Sequence, residues 1–222
     1  MRVSAAVEAR GDRPSLANIL IVAKDGELEF IATDLNVGII HKVPGVKVVE
    51  DGEGLINAAK FLQILKLFRE VDAEVSTNSR GHFTFSAPGG IYKLGGDDVR
   101  DFPQVKRFGS HPSISLPAAE LVRLLKQTEF AAAVDAIRFS IDGINFELGE
   151  GRLRLVTTDN RRLAIAQTSV VTDQSFQMVI RAKSARALLR VIGKELTGDV
   201  KISCAENYLL FAPPNATVSC LG

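Results

Sequence analysis

The chain has 222 residues, 46% of them hydrophobic, enough to bury one or two sizeable cores. Charged residues make up 24% and the formal net charge is +1, which excludes a polybasic tail and an acidic solvating segment; a nucleic-acid partner requires the basic residues to gather on one face. Two cysteines, Cys204 and Cys220, fit no metal or redox spacing and read as reduced thiols in or near a core.

In chain order, Met1-Arg-Val-Ser-Ala-Ala lacks the long apolar core of a secretion signal. The run Ile19-Leu20-Ile21-Val22-Ala23 is far too short to span a bilayer, so a soluble cytoplasmic protein is expected. Residues 18–23, 27–33 and 37–43 are β-rich, with Asp25-Gly26 as a turn between the first two. A strand-like run then leads into 57–69, NAAKFLQILKLFR, which reads as a helix. Further strands are expected at 82–87 and 91–94. Asp97-Asp98-Val-Arg-Asp-Phe-Pro-Gln104 breaks the pattern with charge and proline, which puts a boundary near 104–112 and domains at 1–106 and 107–222. Residues 117–127, PAAELVRLLKQ, open with Pro at a position suited to a first helical turn. Strands follow at 144–148, 152–157 and 163–167, and a third helix, AKSARALLRVIGK, at 182–194.

Two of these strands are written alike. Residues 26–35, GELEFIATDL, and 151–160, GRLRLVTTDN, share Gly, Leu, Thr and Asp at an offset of 151 − 26 = 125. At an offset of 124, Ile56, Ala58, Ile64 and Leu65 meet Ile180, Ala182, Leu188 and Leu189. A period of this size is a domain, not a solenoid repeat, so the fold class is α+β with a duplicated domain. The Asp that closes each repeated strand, Asp34 or Asp159, is expected to tie its turn by hydrogen bonds.

The helices carry the functional signal. At about 100° per residue, Lys183, Arg186, Arg190 and Lys194 fall within roughly 80° of arc, opposite Ala185, Leu188, Leu189 and Ile192. No acid interrupts this stripe along the helix. Arg123, Lys126 and Gln127 sit opposite Leu121, Val122, Leu124 and Leu125, and Lys60, Lys66 and Arg69 spread more loosely. Such faces are either solvated surface or phosphate-tracking surface; with no aromatic platform beside them, duplex binding is favoured over single strands. The carboxylates Asp97, Asp98 and Asp101 allow a metal-dependent nuclease as a rival, but a solvated linker beside Phe102-Pro103 accounts for them more simply. His41, His82 and His111 have no metal-ligand spacing, and the sequence carries no nucleophile elbow or phosphate loop.

The chain resembles the bacterial DNA polymerase III beta subunit family, the sliding clamps. The resemblance rests on Arg13-Pro14-Ser15-Leu16, KDGELEFIATDLNVGI (24–39), Asp101-Phe102-Pro103, TEFAAAVDAIRFSIDGINFE (128–147) and LRLVTTDNRRLAIA (153–166). It implies clamp domains one and two, with the first incomplete at its start and the third absent. It further implies sheets outside and helices on an inner, DNA-facing wall, in a non-enzymatic processivity factor with no cofactor. The implied DNA contacts are Arg13, Lys183 and Arg190, with Arg186 added on the same stripe and Arg10 and Lys126 weaker. The implied half of a partner-peptide cleft is Arg138, Ile141, Thr158, Asn160, Arg161, Arg162 and Leu163. Lys60 and Ile64 match a ring contact in a homo-oligomer. The implied partners are double-stranded DNA, the DNA polymerase III alpha subunit, the clamp loader and other clamp-motif proteins, with no membrane. A module that binds such partners without encircling DNA is the alternative.

Overall fold

The computed structural model describes residues 2–8, 13–68, 71–78, 80–132, 143–193 and 197–222. The chain divides into two compact units, Met1–Asp34 with Ile39–Val105, and Leu35–Gly38 with Lys106–Gly222.

The first unit begins with two short 3-10 turns, Val3–Ala6 and Pro14–Ala17. Strands β1 (Asn18–Lys24), β2 (Glu27–Thr33), β3 (Val37–Val43) and β4 (Gly52–Asn57) form a run in the order β4-β1-β2-β3. Helix α1 (Ala58–Leu67) follows, with Asn57 capping it by accepting from the Lys60 amide at 3.2 Å. Strands β5 (Glu74–Thr77), β6 (Phe83–Ala87) and β7 (Gly90–Leu94) make a three-stranded sheet in sequence order. Phe61 of α1 packs between the two sheets, its ring 5.6 Å from Phe30 and 5.7 Å from Phe85.

The second unit opens on β8 (Ile114–Pro117) and α2 (Ala118–Thr128), then a 3-10 turn at Glu129–Ala131. Pro117 is not in the first helical turn: its φ of −53° and ψ of 133° make it the last extended residue, and the helix starts at Ala118. Strands β9 (Gly143–Gly149), β10 (Arg152–Thr158), β11 (Leu163–Ser169) and β12 (Phe176–Arg181) order as β11-β10-β9-β12. Helix α3 (Ala182–Ile192) leads to β13 (Asp199–Ala205), β14 (Tyr208–Ala212) and β15 (Ala216–Leu221), with β8 beside β13. Phe146 and Phe211 meet edge-to-face at 5.8 Å in this unit's core.

The fold is therefore α+β, with antiparallel sheets and three α-helices among the described residues. The duplication is structural as well as written. β2 and β10 start 152 − 27 = 125 residues apart. Both hairpins that feed them turn on two residues with positive φ, Asp25-Gly26 at 51° and 79° and Glu150-Gly151 at 50° and 69°, the pairing that matches strand twist. No disulfide joins Cys204, which is half-buried, to Cys220, which is buried. No helix among the described residues is long and apolar enough to cross a membrane.

Candidate functional site

Helix α3 forms because small and apolar residues line one side of it. Ala182, Ala185, Leu188, Val191 and Ile192 are buried, and that burial orients the polar face outward. Lys183, Arg186 and Arg190 are all exposed on that face. Helix α2 packs beside α3 by the same logic, burying Leu121, Val122, Leu124 and Leu125 and exposing Lys126. The structure thus gathers Lys126, Lys183, Arg186 and Arg190 on one pair of neighbouring helices.

The stripe is acid-free along α3 but not in space. Glu129, just past the end of α2, accepts from Arg186 Nε at 3.1 Å and offsets part of its charge. Nor is Arg123 of α2 a free cation. It holds Glu120 through Nε at 2.9 Å and Nη2 at 2.6 Å, and its Nη1 donates to Gln127 at 2.6 Å. Hydrogen bonds from Arg123 and Thr168 hold the Glu120 carboxyl down at about 2. Arg13 is exposed in the first unit, where it precedes the Pro14–Ala17 turn and accepts the Leu16 amide on its carbonyl. Arg10 lies outside the described residues, as do Lys194 and Arg69.

The second candidate surface is the corner after β10. Asp159 Oδ1 accepts from the Arg161 and Arg162 amides at 3.1 and 3.0 Å, and its Oδ2 accepts from Arg162 Nε at 3.0 Å. The two amides, with the Arg162 guanidinium beside them, hold this carboxyl below the usual carboxylate range. Thr158 Oγ1 donates to the Arg162 carbonyl at 2.9 Å and accepts the Asn160 amide at 3.2 Å. Asn160 takes a φ of 68°, and its repeat partner Leu35 takes 73°. The short polar Asn tolerates this left-handed conformation better than Leu does. This lacework fixes Arg161, Arg162 and Leu163 outward at the start of β11. Arg138 and Ile141, the other expected cleft positions, lie outside the described residues.

Two neighbours of this corner were not singled out from the sequence. The Arg162 guanidinium sits 5.5 Å from the centroid of the exposed Phe130 ring, a cation–π contact. Ile165 is exposed two residues after Leu163, on the same face of the edge strand β11. The alternation Leu163-Ala164-Ile165-Ala166 was a legible signal for a second outward apolar residue; the meeting of Phe130 with Arg162, 32 positions apart in sequence (162 − 130), was not.

Of the expected ring-contact residues, Lys60 is exposed on α1 and Ile64 is buried in the first unit's own core. Ile64 shares the inward face of α1 with Phe61, and the exposed apolar side chain of this helix is Leu67. Two of the three carboxylates considered for a nuclease are occupied: Asp98 binds Arg100 Nε at 2.9 and 3.0 Å, and Asp97 accepts from Asn18 at 2.7 Å. The Arg100 hydrogen bond holds the Asp98 carboxyl down at about 2. Among the described residues no group of three or more His, Cys, Asp or Glu is placed to hold a metal ion.

Comparison with known proteins identifies the family. Residues 1–106 match the family described as DNA polymerase III beta subunit, N-terminal domain, and residues 115–221 match its central domain. The beta sliding clamp of Rickettsia bellii is 24% identical over 211 residues, covering 94% of this chain and 55% of that protein. The beta sliding clamp of Bacillus subtilis is 27% identical over 221 residues, covering 95% of this chain and 58% of that protein. The crystal structure of the Bacillus subtilis DNA polymerase sliding clamp shares the fold with a TM-score of 0.91 at 24% identity, over 99% of this chain and 60% of that one. The chain spans about half the length of the curated relatives it matches.

Proposed function

The chain belongs to the DNA polymerase III beta subunit family, whose N-terminal and central domains it matches, and on that premise we propose that it serves as part of a DNA sliding clamp. In this reading the clamp encircles duplex DNA and tethers the replicative polymerase. It does no chemistry of its own: it raises the local concentration of polymerase at the primer end. It needs no cofactor and works in the cytoplasm. The observation that carries the reading is the α2–α3 pair, which presents Lys126, Lys183 and Arg190 to solvent in a chain whose formal net charge is only +1. A positive face on an otherwise balanced surface attracts the phosphate backbone without reading sequence. Arg186 joins it at reduced strength, and Arg13 and Arg10 are proposed as further contacts from the first unit.

The proposed partners are double-stranded DNA, the polymerase III alpha subunit, the clamp loader and other proteins with a clamp-binding motif. They dock at the Thr158–Leu163 corner, where Asn160, Arg161 and Arg162 frame Leu163; Arg138 and Ile141 are proposed as further cleft residues. Lys60, with Ile64 beneath it, marks the proposed contact to another chain in a ring. Domains are proposed at 1–106 and 107–222.

The test is retention on nicked circular DNA before and after linearisation, alongside solution mass by light scattering. Retention lost on linearisation supports encirclement; equal retention on both forms rejects it. The second reading is a module that binds partner peptides without encircling DNA, favoured by the exposed Leu163 and Ile165. Peptide binding with no DNA retention, abolished by Leu163→Asp, establishes that reading instead.

A further inference from the structure

The 3-10 turn Glu129–Ala131, just past α2, engages an arginine with each of its first two residues. Glu129 accepts from Arg186 Nε at 3.1 Å, and the Phe130 ring centroid lies 5.5 Å from the Arg162 guanidinium. The turn itself is pinned. Thr128 Oγ1 donates to the Leu124 carbonyl at 2.9 Å, the Ala132 amide donates to the Glu129 carbonyl at 3.2 Å, and Ala131 and Ala132 are buried. Phe130 therefore keeps a fixed place although it is 56% exposed. The repeated fold does not require it there. At the offset of 125, Phe130 answers to Ala5 (130 − 125) and Arg162 to Val37 (162 − 125), so the first unit forms its own turn and its own corner with neither side chain.

Arg162 is held at several points. Its amide donates to Asp159 Oδ1 at 3.0 Å, its carbonyl accepts from Thr158 Oγ1 at 2.9 Å, and its Nε donates to Asp159 Oδ2 at 3.0 Å. None of these bonds uses an Nη group, and the side chain is 52% exposed. A guanidinium tied at Nε and set against an aromatic ring keeps its fork of Nη donors in one orientation. Such a fork matches a carboxylate, and fixing it beforehand removes rotamer freedom that a long side chain otherwise loses on binding. The exposed Leu163 follows directly in sequence, so a carboxylate on Arg162 and an apolar side chain on Leu163 belong to nearby positions of one ligand. Charge points the same way: Arg161 is exposed beside Arg162, and the corner's own carboxylate, Asp159, is already engaged.

We propose that Phe130 is a positioning residue of the partner corner, which together with Asp159 orients Arg162 to receive an acidic side chain next to a large apolar residue of the docked peptide. The inference rests on the reading of this corner as a partner site. It adds to that reading a selectivity, carboxylate over amide, and a residue outside the Thr158–Leu163 segment that sets it. Two conservative changes isolate the effect. Leu in place of Phe130 keeps an apolar side chain and loses the ring face, and Lys in place of Arg162 keeps the charge and loses the planar fork.

The test uses the whole chain and a displayed library of short random peptides. Selected peptides are then labelled and measured by anisotropy beside counterparts in which each acid is replaced by its amide. The selected peptides are expected to carry an acid next to a large apolar residue and to bind about tenfold or more tighter than their amide counterparts. Phe130→Leu, at an exposed position compatible with folding, lowers that ratio to about threefold or less, and Phe130→Tyr retains it. In an Arg162→Lys background, Phe130→Leu changes the ratio no further. The proposal is overturned by selected peptides without such an acid, by a ratio unchanged in Phe130→Leu, or by an equal loss for acid and amide peptides, which marks Phe130 as merely structural. It is also overturned if Lys183→Glu with Arg190→Glu abolishes binding, since the peptide then sits on the basic helix face. Leu163→Asp separates the two readings. Peptides that still bind this variant, or a library with no saturable binder, remove the partner corner and this inference with it. Binding lost in Leu163→Asp, with the ratio unchanged in Phe130→Leu, removes this inference alone.

Discussion

Reversing two charges on α3, Lys183→Glu with Arg190→Glu, tests whether the basic face tracks phosphate. Both side chains are exposed, so the substitutions leave the buried face of Ala185, Leu188, Val191 and Ile192 intact. The structure sets which cations the face exposes. Lys126, Lys183 and Arg190 are exposed on the face, Arg186 counts in part because Glu129 holds it at 3.1 Å, and Arg123 does not count because Glu120 and Gln127 occupy it. Each neutralised phosphate contributes about 0.9 to the salt slope on duplex DNA, so the face supplies a slope of about 3. The double substitution removes about 1.8 of it. Between about 50 and 200 mM salt the wild-type affinity then falls roughly 60-fold, and the variant's only about 5-fold. Anisotropy of a labelled duplex across that salt range measures both. If affinity and slope are unchanged in the variant, the stripe is an ordinary solvated helix face and the argument from α2 and α3 fails.

Three further outcomes follow from the same geometry. Glu129→Gln releases Arg186 from its ion pair, so DNA affinity rises and the salt slope steepens by at most about 0.9; a slope that does not move removes Arg186 from the interface. Phe61→Ala empties the site between Phe30 and Phe85 and costs the first unit about 3–5 kcal/mol in urea unfolding, and a loss below about 1 kcal/mol contradicts the central place given to that ring. Glu120→Gln removes a carboxylate whose folded value is depressed from 4.5 to about 2, so wild type is more stable than the variant by a constant margin above about pH 4.5. That margin shrinks as pH falls toward 2, because protonation of Glu120 releases Arg123; a margin independent of pH from 6 down to about 2.5 refutes the ion-pair assignment.

What the sequence made legible follows from which residues alternate. β2 and β10 read clearly because one face is apolar and the other charged, as in Glu27-Leu28-Glu29-Phe30 and Arg152-Leu153-Arg154-Leu155. β14 does not alternate: Leu209, Leu210 and Phe211 are consecutive and all buried, so period two is lost. β5 hides for the opposite reason, since all four of its residues are exposed. The basic stripe of α3 was legible because its partner face is short-range and helical. The acid that reaches it was not, because Glu129 and Arg186 are 57 residues apart and meet only when α2 packs on α3. The same holds for Phe130 under Arg162.

Duplication turns such differences into an internal control. A pair of repeat positions carries the same backbone demand, so a difference in side chain or exposure points to what surrounds it. Asp34 and Asp159 close equivalent strands, yet Asp34 is buried and Asp159 is half-exposed, with Arg161 and Arg162 on its oxygens. The second corner holds Leu163, 63% exposed, to solvent, which is why it is the one proposed for partners. Val75 and Val200 are the same residue in the same strand of the repeat, so intrinsic propensity cannot explain 49% against 0% exposure. The difference has to come from the covering elements, and in the second unit these are β8 and α2.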